Sequence, residues 1–335
     1  MMASEPDRET VGPDEDALID RIVTLQRELH DRSEKPVRRA QHPKHHGLCR
    51  GELVVEEGLP DDLRHGIFAE PRRYPVWLRY SNGRGDDDAR PTLHGLAMKV
   101  TGVAPGEDQD FLMVDHPVFF IRDLQEYVAL FEAQVESKGG FPRSFFFPGL
   151  NPLRWRLGTM SRFRAVRKKL GNLLGTTFFS ATPYALGPHA IKFSLLPHAA
   201  NGENTPPGED ADFLGHRLAA FLEGKSARFD FRVLVQADPA RMPVEDPTVD
   251  WEEASPGSQW VKVATVDLPP QVPNSADRLE LAENMAFTPW NTLPEHRPLG
   301  GVNRARRVVY DALREDRLEA NGRTEPATPP ADPTQ

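Results

Sequence analysis

The chain has 335 residues, with 41 basic against 50 acidic side chains, a net charge of −9 and a single cysteine. That length supports one large core or two modest ones. The acidic balance argues against non-specific nucleic-acid binding, and a lone Cys49 excludes an internal disulfide framework and fits a reducing, cytoplasmic compartment. No run of eighteen apolar residues reads as a membrane span, and the polar, acidic start is the opposite of a signal peptide.

In chain order, residues 1–16 read as a disordered charged segment, 17–320 as one domain and 321–335 as a disordered proline-rich tail. From Ala17 to Arg32, Leu18, Ile19, Ile22, Val23, Leu25 and Leu29 recur at helical spacing. Strand-like segments follow at Glu52-Leu-Val-Val-Glu, Tyr74–Ser81, Leu93–Val100 and Asp110–Val114, the middle pair separated by a charged loop at 83–90. After Pro117–Asp123 the pattern turns helical, with Leu124, Tyr127, Val128, Leu130 and Phe131 on one face. An aromatic loop, Phe141–Pro148, leads into a basic run from Arg154 to Lys169 with helical period. That run reads as a solvated face in preference to a membrane contact. Strands return at His189–Leu196, Arg228–Gln236 and Trp260–Asp267, with a helix at 212–223 between the first two.

Strands that alternate clearly but do not take turns with helices disfavour a doubly wound parallel sheet. They predict an α+β protein: an antiparallel β-barrel of about eight strands with helical insertions and a C-terminal helix. No Gly-x-Gly-x-x-Gly follows a strand, no phosphate loop ends in Lys-Ser/Thr, and no Cys-x-x-Cys occurs.

The C-terminal helix carries the most suggestive spacing. Arg306 and Tyr310 are four residues apart and share one helical face, so the guanidinium can lie beside the phenol. A fixed cation favours phenolate over phenol, and a phenolate is one of the side-chain ligands that haem iron accepts.

Other stretches then fall into a familiar order. Arg39-Ala-Gln-His42-Pro-Lys44 is similar to the Arg-Val-Val-His-Ala-Lys of catalases, and Leu78-Arg-Tyr-Ser81 to their Val-Arg-Phe-Ser. Val114-Asp-His-Pro-Val-Phe-Phe-Ile-Arg-Asp123 is similar to their Asn-Asn-Thr-Pro-Val-Phe-Phe-Ile-Arg-Asp. Ala286-Phe-Thr-Pro289 and Arg306-Arg-Val-Val-Tyr-Asp311 match Ala-Phe-Asp-Pro and Arg-Leu-Phe-Ala-Tyr-Pro-Asp. The chain thus resembles the haem catalase superfamily in a short, core-only, peroxidase-related form, from Arg39 to Arg317.

The resemblance implies haem b as cofactor and peroxide or lipid hydroperoxide as substrate. Tyr310 would be the iron ligand and Arg306 would hold it as phenolate. His42 would be the distal base, with its tautomer fixed by Ser81. Arg39, Arg79 and Arg317 would pair with the haem propionates, a task suited to the guanidinium fork. Phe119 would pack on the distal face, and Tyr127 sits where the family stacks an aromatic on the macrocycle.

Three departures bear on the reaction. The family's distal asparagine falls on Val114, which removes a donor for bound oxygen. The residue before the histidine is Gln41, which could hydrogen-bond ligand or substrate. The chain is also expected to lack the family's long N-terminal arm and C-terminal helical domain, which would shorten the channel and admit bulkier hydroperoxides. Three functions therefore stand: catalase or peroxidase, a fatty-acid-hydroperoxide rearranging enzyme of the allene oxide synthase kind, and a haem carrier with little turnover. A homodimer is compatible with all three. His42, His45 and His46 are too close in sequence to converge on zinc. His45 and His46 are expected at the surface or the propionate edge, His94, His116 and His189 as satisfied structural histidines, Cys49 as an inert apolar residue, and Arg122 with Asp123 as a structural pair.

Overall fold

The computed structural model describes residues 9–30, 35–104, 106–203 and 205–330. In chain order its elements are α1 (Glu15–Leu29), β1 (His45–Val55), β2 (Arg73–Asn82), β3 (His94–Ala104), β4 (Glu107–Val114), α2 (Leu124–Glu136), α3 (Arg143–Phe146), α4 (Leu157–Ala165), β5 (Phe178–Phe179) and β6 (Tyr184–Leu186). There follow β7 (His189–Pro197), α5 (Phe213–Leu222), β8 (Ala227–Val235), α6 (Trp251–Ala254), β9 (Val261–Leu268), α7 (Ala276–Asn284) and α8 (Gly301–Ala320).

All strand pairs are antiparallel, in the order β5-β4-β3-β2-β1-β9-β8-β7-β6. A further pairing of β5 with β7, Phe178 opposite Leu195, closes eight of the strands into a barrel and leaves β6 flanking β7. Alternation along each strand sends one set of side chains inward. Leu78, Tyr80, Leu96, Met98, Phe111, Phe193 and Phe231 belong to this interior, where Phe111 lies 4.9 Å from Phe231 and 5.1 Å from Phe193, edge to face. The other set, including Arg79, Ser81, Ala97, Leu112 and Val114, points outward to a cavity between the barrel and its helices.

That outer layer is built from helical stripes. Ile19, Ile22 and Val23 of α1, Leu124 and Phe131 of α2, and Ala305, Val309 and Leu313 of α8 form one buried cluster. Each large side chain removed from water here stabilises by roughly 1.5–3 kcal/mol as an upper figure. Asp123 caps α2 by accepting from the Glu126 amide at 2.8 Å, which contributes about 1 kcal/mol and sets where Tyr127 emerges. Asp123 also pairs with the Arg122 guanidinium at 3.1 Å.

Part of the segment expected to be disordered is anchored. Glu9 accepts from the Gly300 amide and Glu245 from the Gly301 amide, both at 2.7 Å, so two carboxylates meet the positive end of α8. Arg304 joins Glu9, Glu15 and Glu245. Residues 1–8 lie outside the described residues, as do 331–335 of the tail. Farther back in the tail, Ala327 bonds the carbonyl of Asn284.

Two elements differ most from the expectation. β1 begins at His45, not near Glu52, because its first half is written in histidine and glycine and lacks an apolar alternation. The basic run holds only the short α4, since Arg154 belongs to a separate 3-10 turn that starts at Pro152 and the helix stops at Ala165. The nine-residue α7 was missing from the expected elements.

Candidate functional site

The cavity encloses about 550 Å³ between the outer faces of β2, β3 and β4 and the inner faces of α1, α2 and α8. It brings together Arg39, Gln41, His42, Arg79, Ser81, Val114, Phe119, Tyr127, Arg306, Tyr310 and Arg317, every site residue singled out in the sequence. These come from both ends of the chain, and the barrel is what unites them.

His42 lies on the strand-side wall. Its Nδ1 is 3.2 Å from the Ser81 hydroxyl. Its amide donates to the Gly83 carbonyl at 3.3 Å, and its own carbonyl accepts from Arg79 Nη2 at 3.1 Å. The backbone there has φ of +55°, a left-handed conformation that a histidine adopts only when its surroundings impose it. The ring presses against Gly95 of β3, where a Cβ would stand 2.4 Å from His42 Cε1. Burial, then the positive charge of Arg79, pushes the imidazole down to about 3, so it is neutral near pH 7.

Arg306 and Tyr310 lie on the α8 wall. Arg306 Nη2 donates to the phenolic oxygen at 3.3 Å, while Nη1 donates to Asn303 Oδ1 at 3.0 Å and Thr182 Oγ1 at 3.4 Å. Asn303 is fixed in turn by the carbonyls of Pro183 and Leu299, each at 2.9 Å. Burial opposes the Arg306 charge, yet Tyr310 and Tyr184 beside it hold its proton more tightly than usual. Tyr127 is pushed up to about 12 by burial, then by Tyr310, and is a neutral phenol.

A third group gathers at the end of α7. Arg39 Nη2 donates to the carbonyls of Ala282, Glu283 and Met285 at 2.8, 3.1 and 2.6 Å, the negative end of that helix. Arg317 Nη1 bonds the Glu283 carbonyl at 2.7 Å, and Arg79 stands 3.9 Å from the Glu283 carboxylate. Three guanidiniums thus face one carboxylate, an excess of two positive charges. Arg39 is held well below the usual range by burial, then by Arg79 and Arg317, and burial brings Arg79 down to about 10. Guanidinium does not give up its proton in proteins, so these directions express charge that lacks counter-charge. The Nε atoms of Arg39 and Arg79 are buried with no partner. The cluster leaves positive charge and two N–H donors unmatched within the protein.

Some of the remaining residues differ from their expected settings and others do not. Gln41 donates to Gln26 Oε1 of α1 at 3.1 Å, so its amide nitrogen is engaged within the protein. His45 sits 3.7 Å from Glu283, at the edge of the arginine group, and burial pushes it down to about 2; His46 is not at the surface but buried, bonds Asn82 at 2.9 Å and is down to about 4. His94 pairs with Asp115 at 3.0 Å in full burial, but its Nε2 has no partner. Cys49 is buried in β1, where burial raises its thiol far above the ordinary range. Phe145 and Phe146 pack in a buried aromatic cluster beside the cavity. Glu283, Asn303, Thr182 and Gln26 were not anticipated. Glu283 sits three residues before the matched Ala286-Phe-Thr-Pro289 block, and that proximity was the available signal.

No family model matches the chain. A catalase-related peroxidase of Mycolicibacterium paratuberculosis is 28% identical over 217 residues, 58% of this chain and 63% of that protein. Solved structures agree more broadly. A fungal catalase superposes with a TM-score of 0.69 at 18% identity over 84% of this chain and 60% of its own. Catalase A from Saccharomyces cerevisiae gives 0.68 at 18% over 92% and 66%, and a bacterial catalase 0.67 at 17% over 93% and 62%. The chain has the catalase fold. It spans less than two thirds of the length of each of these proteins. Within the catalase fold the cavity lies on the outer wall of the barrel, so the barrel's filled interior acts as a rigid backing for His42 and Ser81.

Proposed function

We propose that the chain is a haem-dependent enzyme acting on peroxides. One observation carries the reading: a single cavity holds a neutral, hydrogen-bonded histidine, a tyrosine bonded by a half-buried arginine, and an arginine cluster with two surplus positive charges. Haem b fits this donor set. Tyr310 would hold the iron, with Arg306 keeping the phenolic oxygen oriented. Arg39, Arg79 and Arg317 would take the two propionates, whose charge matches the surplus and whose oxygens could satisfy the orphaned Nε atoms. Phe119 and Tyr127 would supply flat apolar contact. When bound, the haem iron supplies the redox chemistry that cleaves an O–O bond.

The chain's own residues supply proton handling and exclusion of water. Neutral His42 can accept a proton at Nε2 from a peroxide oxygen and return it to the departing oxygen, a positioned transfer that contributes roughly a hundred- to ten-thousandfold in rate. The Ser81 hydroxyl at Nδ1 keeps the ring in one orientation while this happens. A carrier has no need of a base held in strained backbone, which favours an enzyme over the third sequence reading.

Val114 at the end of β4 offers no donor, which favours organic hydroperoxides over efficient hydrogen-peroxide disproportionation. The apolar lining from Leu112, Leu130 and Phe131 also favours a second reading, rearrangement of a fatty-acid hydroperoxide. Products from the haem-loaded protein separate the cases: oxygen from hydrogen peroxide, an alcohol plus oxidised donor from an alkyl hydroperoxide, or an epoxide from a fatty-acid hydroperoxide. Absence of all three, with haem bound, rejects the proposal.

A further inference from the structure

Residues 141–169 contain eight Lys or Arg and no Asp or Glu, in a chain whose net charge is −9. None of the eight forms a salt bridge among the described residues, although the rest of the surface is rich in them. The same stretch breaks the usual rule for apolar side chains. Of the eight large hydrophobic residues exposed among the described residues, five lie here: Phe141, Leu150, Leu153, Trp155 and Leu157. Leu150 is 98% and Leu153 94% exposed, on a turn that nothing covers. The segment is a folded lobe: Arg156 donates to the Phe146 and Phe145 carbonyls, and Trp155 meets the Phe147 ring at 5.4 Å. Its base reaches the cavity, because Phe141, Pro142, Phe163, Val166 and Arg167 line it.

From this juxtaposition we infer that the 141–169 lobe docks the protein on an anionic lipid bilayer, with the cavity mouth turned toward the membrane. Projecting leucines and a tryptophan flanked by cations without carboxylate partners are the composition of an interfacial anchor: apolar tips enter the headgroup–acyl boundary and the cations meet acidic headgroups. A second copy of the chain is a poorer occupant, since a two-fold contact would set eight cations against eight. A nucleic-acid backbone would leave the leucines without a purpose. The substrate class that such docking delivers, acyl hydroperoxides drawn from the bilayer, rests on the peroxide reading above; the docking itself does not.

The test is co-sedimentation of the full-length chain with phosphatidylcholine vesicles and with mixed phosphatidylcholine–phosphatidylglycerol vesicles, alongside sedimentation velocity of the protein alone. Binding is expected on the anionic vesicles, with release by added salt. Leu150→Ser with Leu153→Ser, and separately Arg154→Glu with Arg164→Glu, should each weaken it at least about tenfold, since one basic side chain near such a surface contributes about fivefold. Both variants should turn over dissolved hydrogen peroxide like the parent and act more slowly on vesicle-borne acyl hydroperoxide. Equal binding to neutral vesicles, or variants that bind like the parent, overturns the docking. A dimer that the leucine variant splits, with no vesicle binding by the parent, assigns the face to a second copy instead. Vesicle binding that behaves as expected without any peroxide turnover removes the peroxide reading alone.

Discussion

Arg306 reaches the phenolic oxygen of Tyr310 with one terminal nitrogen and Asn303 with the other, at 3.3 and 3.0 Å. The tyrosine is therefore oriented by a side chain that is itself fixed at a second point. Arg306→Leu removes a charged hydrogen bond, worth about 1.5–3 kcal/mol. Haem retention is expected to fall roughly tenfold or more, with a changed absorption spectrum, and Tyr310→Phe should alter the spectrum further. An unchanged spectrum in Tyr310→Phe rejects that residue as ligand.

Gly95 and Ser81 hold the His42 ring from two sides. Gly95→Ala would put a methyl 2.4 Å from Cε1, so the ring must leave its position. Peroxide turnover is expected to drop by two orders of magnitude or more, within the range assigned to a positioned base, while circular dichroism stays native. Ser81→Ala should cost less, about tenfold, from one lost hydrogen bond. His42→Ala turning over peroxide as fast as the parent would discard the distal assignment.

Four histidines, two buried and two half-buried, tie stability to pH. Burial brings His42 and His296 to about 3, His46 to about 4 and His45 to about 2. Their folded values lie below the unfolded one near 6.5, so the unfolded chain binds protons first. The stability they leave intact above pH 6.5 is lost as pH falls from there toward 4, by up to roughly 1.4 kcal/mol per pH unit for each group. Denaturant melts at pH 7.5 and 5 should show the drop, and higher stability at pH 5 would contradict it. The acid limb of activity should follow unfolding, since His42 itself stays neutral throughout that window.

The three arginines around Glu283 predict a ligand effect without haem. Succinate, with two carboxylates, should raise the melting temperature of the haem-free chain in a concentration-dependent way. Arg79→Met should abolish that rise, yet melt no lower than the parent in plain buffer, because a buried charge crowded by like charges is replaced by an apolar side chain. Calorimetry with and without succinate checks both halves.

The sequence made the barrel legible where strands alternate over a filled interior, as in Tyr74–Ser81 and Arg228–Gln236. The short blocks that hold His42, Ser81 and the Arg306–Tyr310 pair also marked stretches that meet in one cavity, although they lie far apart in the chain. Less was visible where structure depends on partners far away. β1 starts in His45-His-Gly-Leu, whose burial comes from α5 and α7 and not from its own pattern. Glu283 becomes a site residue only when the end of α7 meets Arg39, 244 residues earlier. Gln41 looked free for a ligand until α1 brought Gln26 beside it. The left-handed backbone at His42 has no sequence signature, since glycine is the usual occupant of that region.

The ring of strands is closed by only two residues, Phe178 and Phe179, which pair with Leu195 and Ser194 on one side and, through Phe179, with Val114 on the other. Ser180, Ala181 and Thr182, directly after this seam, line the cavity. A stave so short has few cooperative neighbours, so it should open at a lower free-energy cost than the long strands opposite. Amide exchange is thus expected to be fastest, among the barrel strands, at 178–179. A ligand filling the cavity should slow it there, turning the weakest joint of the ring into a reporter of occupancy.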